Sequence, residues 1–82
     1  MNVSVLTPDQ ELYAGPATAV TVPGANGQMQ ILNNHAALVS ALQAGTVKVK
    51  KDNGETISYN IEKGFVEVLK NEVSVLVQGV TE

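Results

Sequence analysis

The most constraining feature of this sequence is a pair of period-two runs on either side of an Asn-Gly dipeptide. Residues 46–51 alternate Val47 and Val49 with Thr46, Lys48 and Lys50, and residues 56–61 alternate Ile57, Tyr59 and Ile61 with Thr56, Ser58 and Asn60. Successive side chains of a strand point to opposite faces, so each run makes a strand with one apolar and one wet face. Between them stands Asp52-Asn53-Gly54-Glu55, where the Asn53-Gly54 pair accepts the positive φ angles of a tight hairpin. Thirteen of the 82 residues are valine, whose β-branched side chain favours extended backbone, so the preference runs well beyond this hairpin.

Turn punctuation recurs at Thr7-Pro8, Gly15-Pro16, Pro23-Gly24, Asn33-Asn34, Gly45, Lys63-Gly64 and Asn71. It leaves short strands near 2–6, 10–14, 17–22, 28–32, 65–69 and 73–78 besides the hairpin, a spacing that predicts an all-β sandwich or barrel. The segment 36–42, AALVSAL, is the one competitor for a helix; Gly45 limits its length, and it is read as a strand. A chain of 82 residues supplies one core, so residues 1–82 are expected to form one domain.

Not every strand has a wet face. In 36–42 one parity carries Ala36, Leu38 and Leu42, and the other carries Ala37, Val39 and Ala41, with Ser40 the only polar member. In 65–69 Val66 and Val68 oppose Phe65 and Leu69, interrupted by Glu67, and in 73–77 three valines oppose Leu76. A two-sheet sandwich has one interior, so apolar groups on the outer side of these strands need a loop or another molecule to cover them. The alternative is that kinks or helical turns carry them inward, and the exposure of Leu38, Leu42, Phe65 and Leu76 decides between the two.

Several functions are disfavoured. Eight acidic residues against five lysines, with no arginine, give a net charge of -3, a poor match to nucleic acid phosphates, and three aromatic residues are few for stacking bases. There is no cysteine, hence no disulfide framework or thiolate metal site. No apolar stretch approaches the roughly 20 residues that span a bilayer, and the start MNVSVLTPDQ lacks the pattern of a secretory signal, so residence in the cytoplasm is the default expectation. Asn2-Val3-Ser4 is read as a chance match to a glycosylation acceptor. His35 is the sole histidine and has no sequence companion for catalysis or zinc, so it is read as a polar loop or interface residue. Gly24 and Gly27 in PGANGQ lack the lysine and third glycine of a phosphate cradle and are read as a turn. Composition favours an interaction protein over an enzyme, with no cofactor.

The run VTVPGANGQMQILNNHAALVSALQAGTVKV, residues 20–49, resembles the epsilon subunit of F-type ATP synthases. The pattern is a glycine-containing loop (24–28), a short strand with Ile31-Leu32, a histidine at 35, an apolar stretch (38–42) and a glycine at 45 opening the next strand. The opening VSVLTPDQELYAGPATAVTVPG and GFVEVLKNEVSVLVQ at 64–78 resemble the family's first strands and last hairpin, so the likeness covers the whole chain. Glycine is common in the family where Gln30 stands, and proline where Asn33 and Ala37 stand, so the turn before His35 is open to another path.

The resemblance implies a ten-stranded β-sandwich in the central stalk, non-catalytic, bound to the gamma subunit and resting on the c-ring at the cytoplasmic face of a bacterial plasma membrane. By the same likeness, the loop of Ala25, Asn26, Gly27, Gln28 and Met29 faces the c-ring. His35, Leu38, Ser40, Leu42, Leu76 and Gln78 lie towards gamma. Family members usually continue into a C-terminal helical hairpin, whereas this sequence ends at Glu82 in VTE, which reads as a naturally short form, and the hairpin's inhibitory role does not carry over. The rivals are a biotinyl or lipoyl carrier domain modified at Lys51, just before the hairpin turn, and a self-associating or sugar-binding sandwich.

Overall fold

The computed structural model describes residues 1–81, and its regular structure is entirely strand. There are eight strands: β1 (Asn2–Leu6), β2 (Glu11–Gly24), β3 (Gly27–Leu32), β4 (Leu38–Leu42), β5 (Gly45–Lys51), β6 (Thr56–Ile61), β7 (Lys63–Leu69) and β8 (Glu72–Gln78). The sandwich is as expected, with fewer and longer strands than the ten implied.

The main difference is β2. The Gly15-Pro16 signal does not end a strand. It marks the corner where β2 leaves β1, with which residues 11–16 pair, and joins β5 and β3, with which residues 17–24 pair. Proline has no amide to give a ladder, so a strand tolerates it where partners change, and the register against β5 slips between Ala17 and Ala19. The segment 36–42 is strand from Leu38 onward, antiparallel to β7.

Two layers result. In one, the first half of β2, then β1, β8, β7 and β4 lie side by side, with β1 and β8 parallel. In the other, β3, the second half of β2, β5 and β6 follow in order. A single bridge from Gly24 to Leu42 ties the layers at the far margin, so the sheet closes as a flattened barrel.

Valine parity builds the core. Val3, Val5, Val66, Val68, Val73, Val75 and Val77 from the first layer meet Val20, Val22, Val47 and Val49 from the second, and all eleven are at most 2% exposed. Ile31, Leu42, Tyr59 and Ile61 complete the cluster. Burying each such side chain contributes about 1.5–3 kcal/mol, and no polar or charged residue is buried among those described.

Two hairpins use different turn chemistry. At β5–β6 the Gly54 amide donates to the Lys51 carbonyl, the Asn53 carboxamide oxygen accepts from the Glu55 amide at 2.9 Å, and Gly54 alone takes a positive φ of 91°. It is a wider turn than the expected Asn53-Gly54 pair with two positive angles. That geometry occurs instead at β7–β8, where Lys70 and Asn71 have φ of 51° and 62° and close a two-residue turn whose twist matches the flanking strands.

Candidate functional site: an apolar sheet face beside a hairpin tip

Registry lines up the outward side chains of the first layer. Ala41 of β4 lies opposite Phe65 of β7, Phe65 opposite Leu76 of β8, and Leu76 opposite Leu6 of β1. One apolar row therefore crosses four strands. The next row holds Val39, Glu67, Ser74 and Ser4, and beyond it Leu69 stands opposite Glu72. Val39 is 70% exposed, Phe65 57%, Leu69 54% and Leu76 50%. Eleven of the thirteen valines are in the core and Val80 packs against it, so Val39 is the one valine turned to solvent.

The row borders a groove of about 510 Å³ whose lining includes Pro8, Ala41, Lys63, Phe65, Leu76 and Gln78. Its floor is set by a close approach of β7 and β8. A side chain built at Gly64 would collide with the Leu76 carbonyl oxygen, so only glycine fits at that crossing.

The hairpin tip between β2 and β3 is joined to this face. The Ala25 amide donates to the Ala41 carbonyl at 3.1 Å, and the Gln43 amide to the Pro23 carbonyl at 2.9 Å. Ala25, Asn26, Gly27 and Gln28 are exposed, while Met29 is half-buried and packs against the core. The tip thus offers small and amide-bearing groups, with one thioether anchored below.

The residues expected to face gamma separate into three places. Leu76 and Gln78 line the groove, and Leu42, though almost wholly buried, reaches its wall. His35 is in the exposed loop between β3 and β4, at the other end of β7 and β8; its amide donates to the Leu32 carbonyl and its Nδ1 lies 2.8 Å from the Ala36 carbonyl oxygen. Beside it the Asn34 amide donates to the Asn71 carboxamide oxygen at 2.8 Å. Leu38, Ser40 and Leu42 occupy the inward parity of β4, opposite Val68, Val66 and Gly64, and Leu42 is 5% exposed. An aspartate at Leu38 or Leu42 therefore tests folding rather than docking.

Of the four side chains that decide between a covered outer face and inward kinks, Phe65 and Leu76 are out, and Leu38 and Leu42 are in. The outward residues of β4 are Val39 and Ala41, and Glu67 stands between Phe65 and Leu69 on β7. The sequence contains a clue to the β4 parity, since the bulkier pair, Leu38 and Leu42, gains more from burial than Val39 and Ala41. Hydropathy alone does not separate the two sides.

Lys51, the modification candidate of the carrier reading, is the last residue of β5. It lies 5.9 Å from the Tyr13 ring centroid and 3.6 Å from Glu55, set back from the apex. Among the described residues no helix is long and apolar enough to cross a membrane, and no three His, Cys, Asp or Glu side chains gather as metal ligands.

Residues 1–82 match the family described as the ATP synthase, Delta/Epsilon chain, beta-sandwich domain. The ATP synthase epsilon chain of Thermosynechococcus vestitus is 42% identical over 79 residues, covering 96% of this chain and 56% of the relative. That of Leptospira borgpetersenii is 43% identical over 77 residues, covering 93% and 59%. This chain thus spans a little over half the length of these relatives. Among solved structures, a chain of the Euglena gracilis mitochondrial ATP synthase superposes with a TM-score of 0.89 at 23% identity over 96% of this chain and 51% of that one. A chain from the central stalk and c-ring of the Tetrahymena thermophila mitochondrial enzyme gives 0.82 at 20% identity over 100% and 66%; at such identities the likeness is one of fold. The wet outer face of β5–β6, the apolar face of β4, β7 and β8, and the sequence match over the whole length agree and do not favour the carrier reading: this chain belongs to the ATP synthase delta/epsilon family, as its β-sandwich domain.

Proposed function

We propose that residues 1–82 form one domain acting as a non-catalytic part of the rotor in an F-type ATP synthase. The domain joins gamma to the c-ring, so that rotation driven by proton translocation reaches the catalytic head without slippage. It sits peripherally at the cytoplasmic face of a bacterial plasma membrane. In this reading gamma covers the outer face of β4, β7 and β8, and Leu76, Gln78, Val39, Ala41 and Phe65 touch it. The tip of Ala25, Asn26, Gly27 and Gln28 meets the polar loops of the c-ring, with Met29 holding it to the core. His35 extends the gamma contact past the far end of the face.

The observation that carries this reading is the row of Ala41, Phe65, Leu76 and Leu6 across four adjacent strands of a family member. A coupling part must transmit torque, which calls for a permanent interface, and those are large and apolar at the centre. The backbone bonds from the Ala25 amide to the Ala41 carbonyl and from the Gln43 amide to the Pro23 carbonyl tie the tip to the end of β4, which gives load on one a direct path to the other.

The test is co-purification with gamma. Replacing Val39 and Phe65 together by aspartate is expected to weaken binding at least a hundredfold, the scale of losing two central anchors, while the circular dichroism spectrum keeps its β signature. Unchanged capture of gamma by the folded double variant refutes the assignment of this face.

A further inference from the structure

One charge stands in the middle of the apolar face. Glu67 lies directly across from Val39 on β4 and from Ser74 on β8. Along β7 its nearest same-face neighbours are Phe65 and Leu69, the positions two residues away. Of its diagonal neighbours on the flanking strands, Ala41 and Leu76 are apolar and Glu72 has the same sign. Lys63 shares the face but is four residues along the strand, roughly 13 Å distant. Glu67 makes no side-chain hydrogen bond or ion pair within the described residues, and it is exposed.

A carboxylate in this position is neutral for the free domain, because water solvates it. The situation reverses when an apolar surface closes over the face. The carboxylate then loses its water, and its own chain offers in return no cation and only the neutral hydroxyl of Ser74 directly across, a cost that cancels much of the apolar gain unless the partner supplies a counter-charge. We propose that Glu67 is the polar anchor of this interface and that gamma places an arginine or lysine against it, between the apolar side chains of Val39, Phe65, Leu69 and Leu76. The inference rests on the reading that gamma covers this face. It also assigns Glu67 a role in register, since an apolar row tolerates sliding along β7 whereas a single charge pair at its centre fixes one docked position.

The sign of one substitution tests it. Binding is measured between the full chain and the gamma subunit of the same enzyme, with Glu67→Gln and Glu67→Leu as variants. Both are at an exposed position and are checked for retained β signature by circular dichroism. With a cation opposite, each variant strands that cation in a dry interface, and affinity falls about thirtyfold or more. Without one, removing the charge relieves a desolvation cost, so equal or tighter binding by either variant overturns the proposal. The two levels separate cleanly. If the Val39 and Phe65 aspartate variant still binds, the placement of gamma itself is wrong; if it fails to bind while Glu67→Gln binds as well as the parent, only the counter-charge is wrong.

Discussion

The outer faces of β5–β6 and of β4, β7 and β8 have the same inner partner and opposite character. Both layers turn valines inward, Val47 and Val49 on one side and Val66, Val68, Val73 and Val75 on the other, all fully buried. On the outside of β5–β6, Lys48 pairs with Ser58, Lys50 with Thr56 and Thr46 with Asn60, whose carboxamide oxygen accepts from the Thr46 hydroxyl at 2.9 Å. On the outside of β4, β7 and β8, the corresponding positions are Val39, Ala41, Phe65, Leu69 and Leu76, with Glu67 among them. Inward side chains specify that a sandwich forms; outward ones, free of that duty, report what the molecule touches.

The largest expected effect breaks the comparison within a single strand. Leu42 and Val39 are three residues apart on β4 and point to opposite faces. Leu42→Asp puts an unpaired carboxylate into the core and is expected to cost 4 kcal/mol or more, about the whole stability of a small domain. Val39→Asp changes only the outside, where the new carboxylate faces Glu67 across the strand pair, and is expected to cost about 1 kcal/mol or less. Urea denaturation monitored by far-ultraviolet circular dichroism reads both. Comparable losses from the two would mean that β4 does not have one wet and one dry side in solution.

A milder pair sharpens the same contrast on β8. Val75→Ala removes two methyl groups from a fully packed position and leaves a cavity, a loss of about 2–3 kcal/mol. Leu76→Ala removes more carbon from the neighbouring residue, yet it is expected to lower stability by less than 1 kcal/mol, because half of that side chain is already in water. The order reverses in a gamma-binding assay, where Leu76→Ala carries the larger loss. A stability cost for Leu76→Ala equal to that of Val75→Ala would mean that the outer row packs against something within the domain.

The same division explains how much could be read in advance. The hairpin at β5–β6 is legible because polar and apolar residues alternate through residues 46–50 and 56–61, and both the pairing and the buried side follow from that pattern, with Lys51 at the strand end the one polar residue on the apolar parity. On β7 and β8 the valines mark the inner parity, so Phe65, Leu69 and Leu76 could be recognised as a second apolar side. On β4 the pattern is silent, since Leu38 and Leu42 oppose Val39 and Ala41 with only Ser40 between; tertiary pairing with Val66 and Val68 decides the matter. Gly15-Pro16 misleads for a related reason. Its local chemistry breaks a ladder, and a strand that changes partners at a barrel corner needs that break without ending. The position of the β2–β3 tip against β4 depends on long-range backbone bonds, from the Ala25 amide to the Ala41 carbonyl and from the Gln43 amide to the Pro23 carbonyl, that no local signal encodes.

The smallest effect concerns the wet region alone. The Glu55 carboxyl is held below the ordinary 4.5, first by the hydrogen bond from the Asn53 carboxamide at 2.9 Å and then by the Lys51 ammonium 3.6 Å away. A carboxyl lowered in the folded state binds fewer protons than in the unfolded chain, so its contribution is present above 4.5 and is lost as pH falls through the lowered folded value. The group is fully exposed and the pair is screened by water and salt, so the measurable quantity is the titration itself rather than a shift in unfolding. A carboxyl NMR titration is expected to place Glu55 below 4.5. Asn53→Ala and Lys51→Met are each expected to raise its midpoint, because the Asn53 hydrogen bond and the Lys51 ammonium both favour the ionised carboxyl. If Lys51→Met leaves the midpoint unchanged, the ion pair does not form in solution and the turn is held by the Asn53 hydrogen bonds alone.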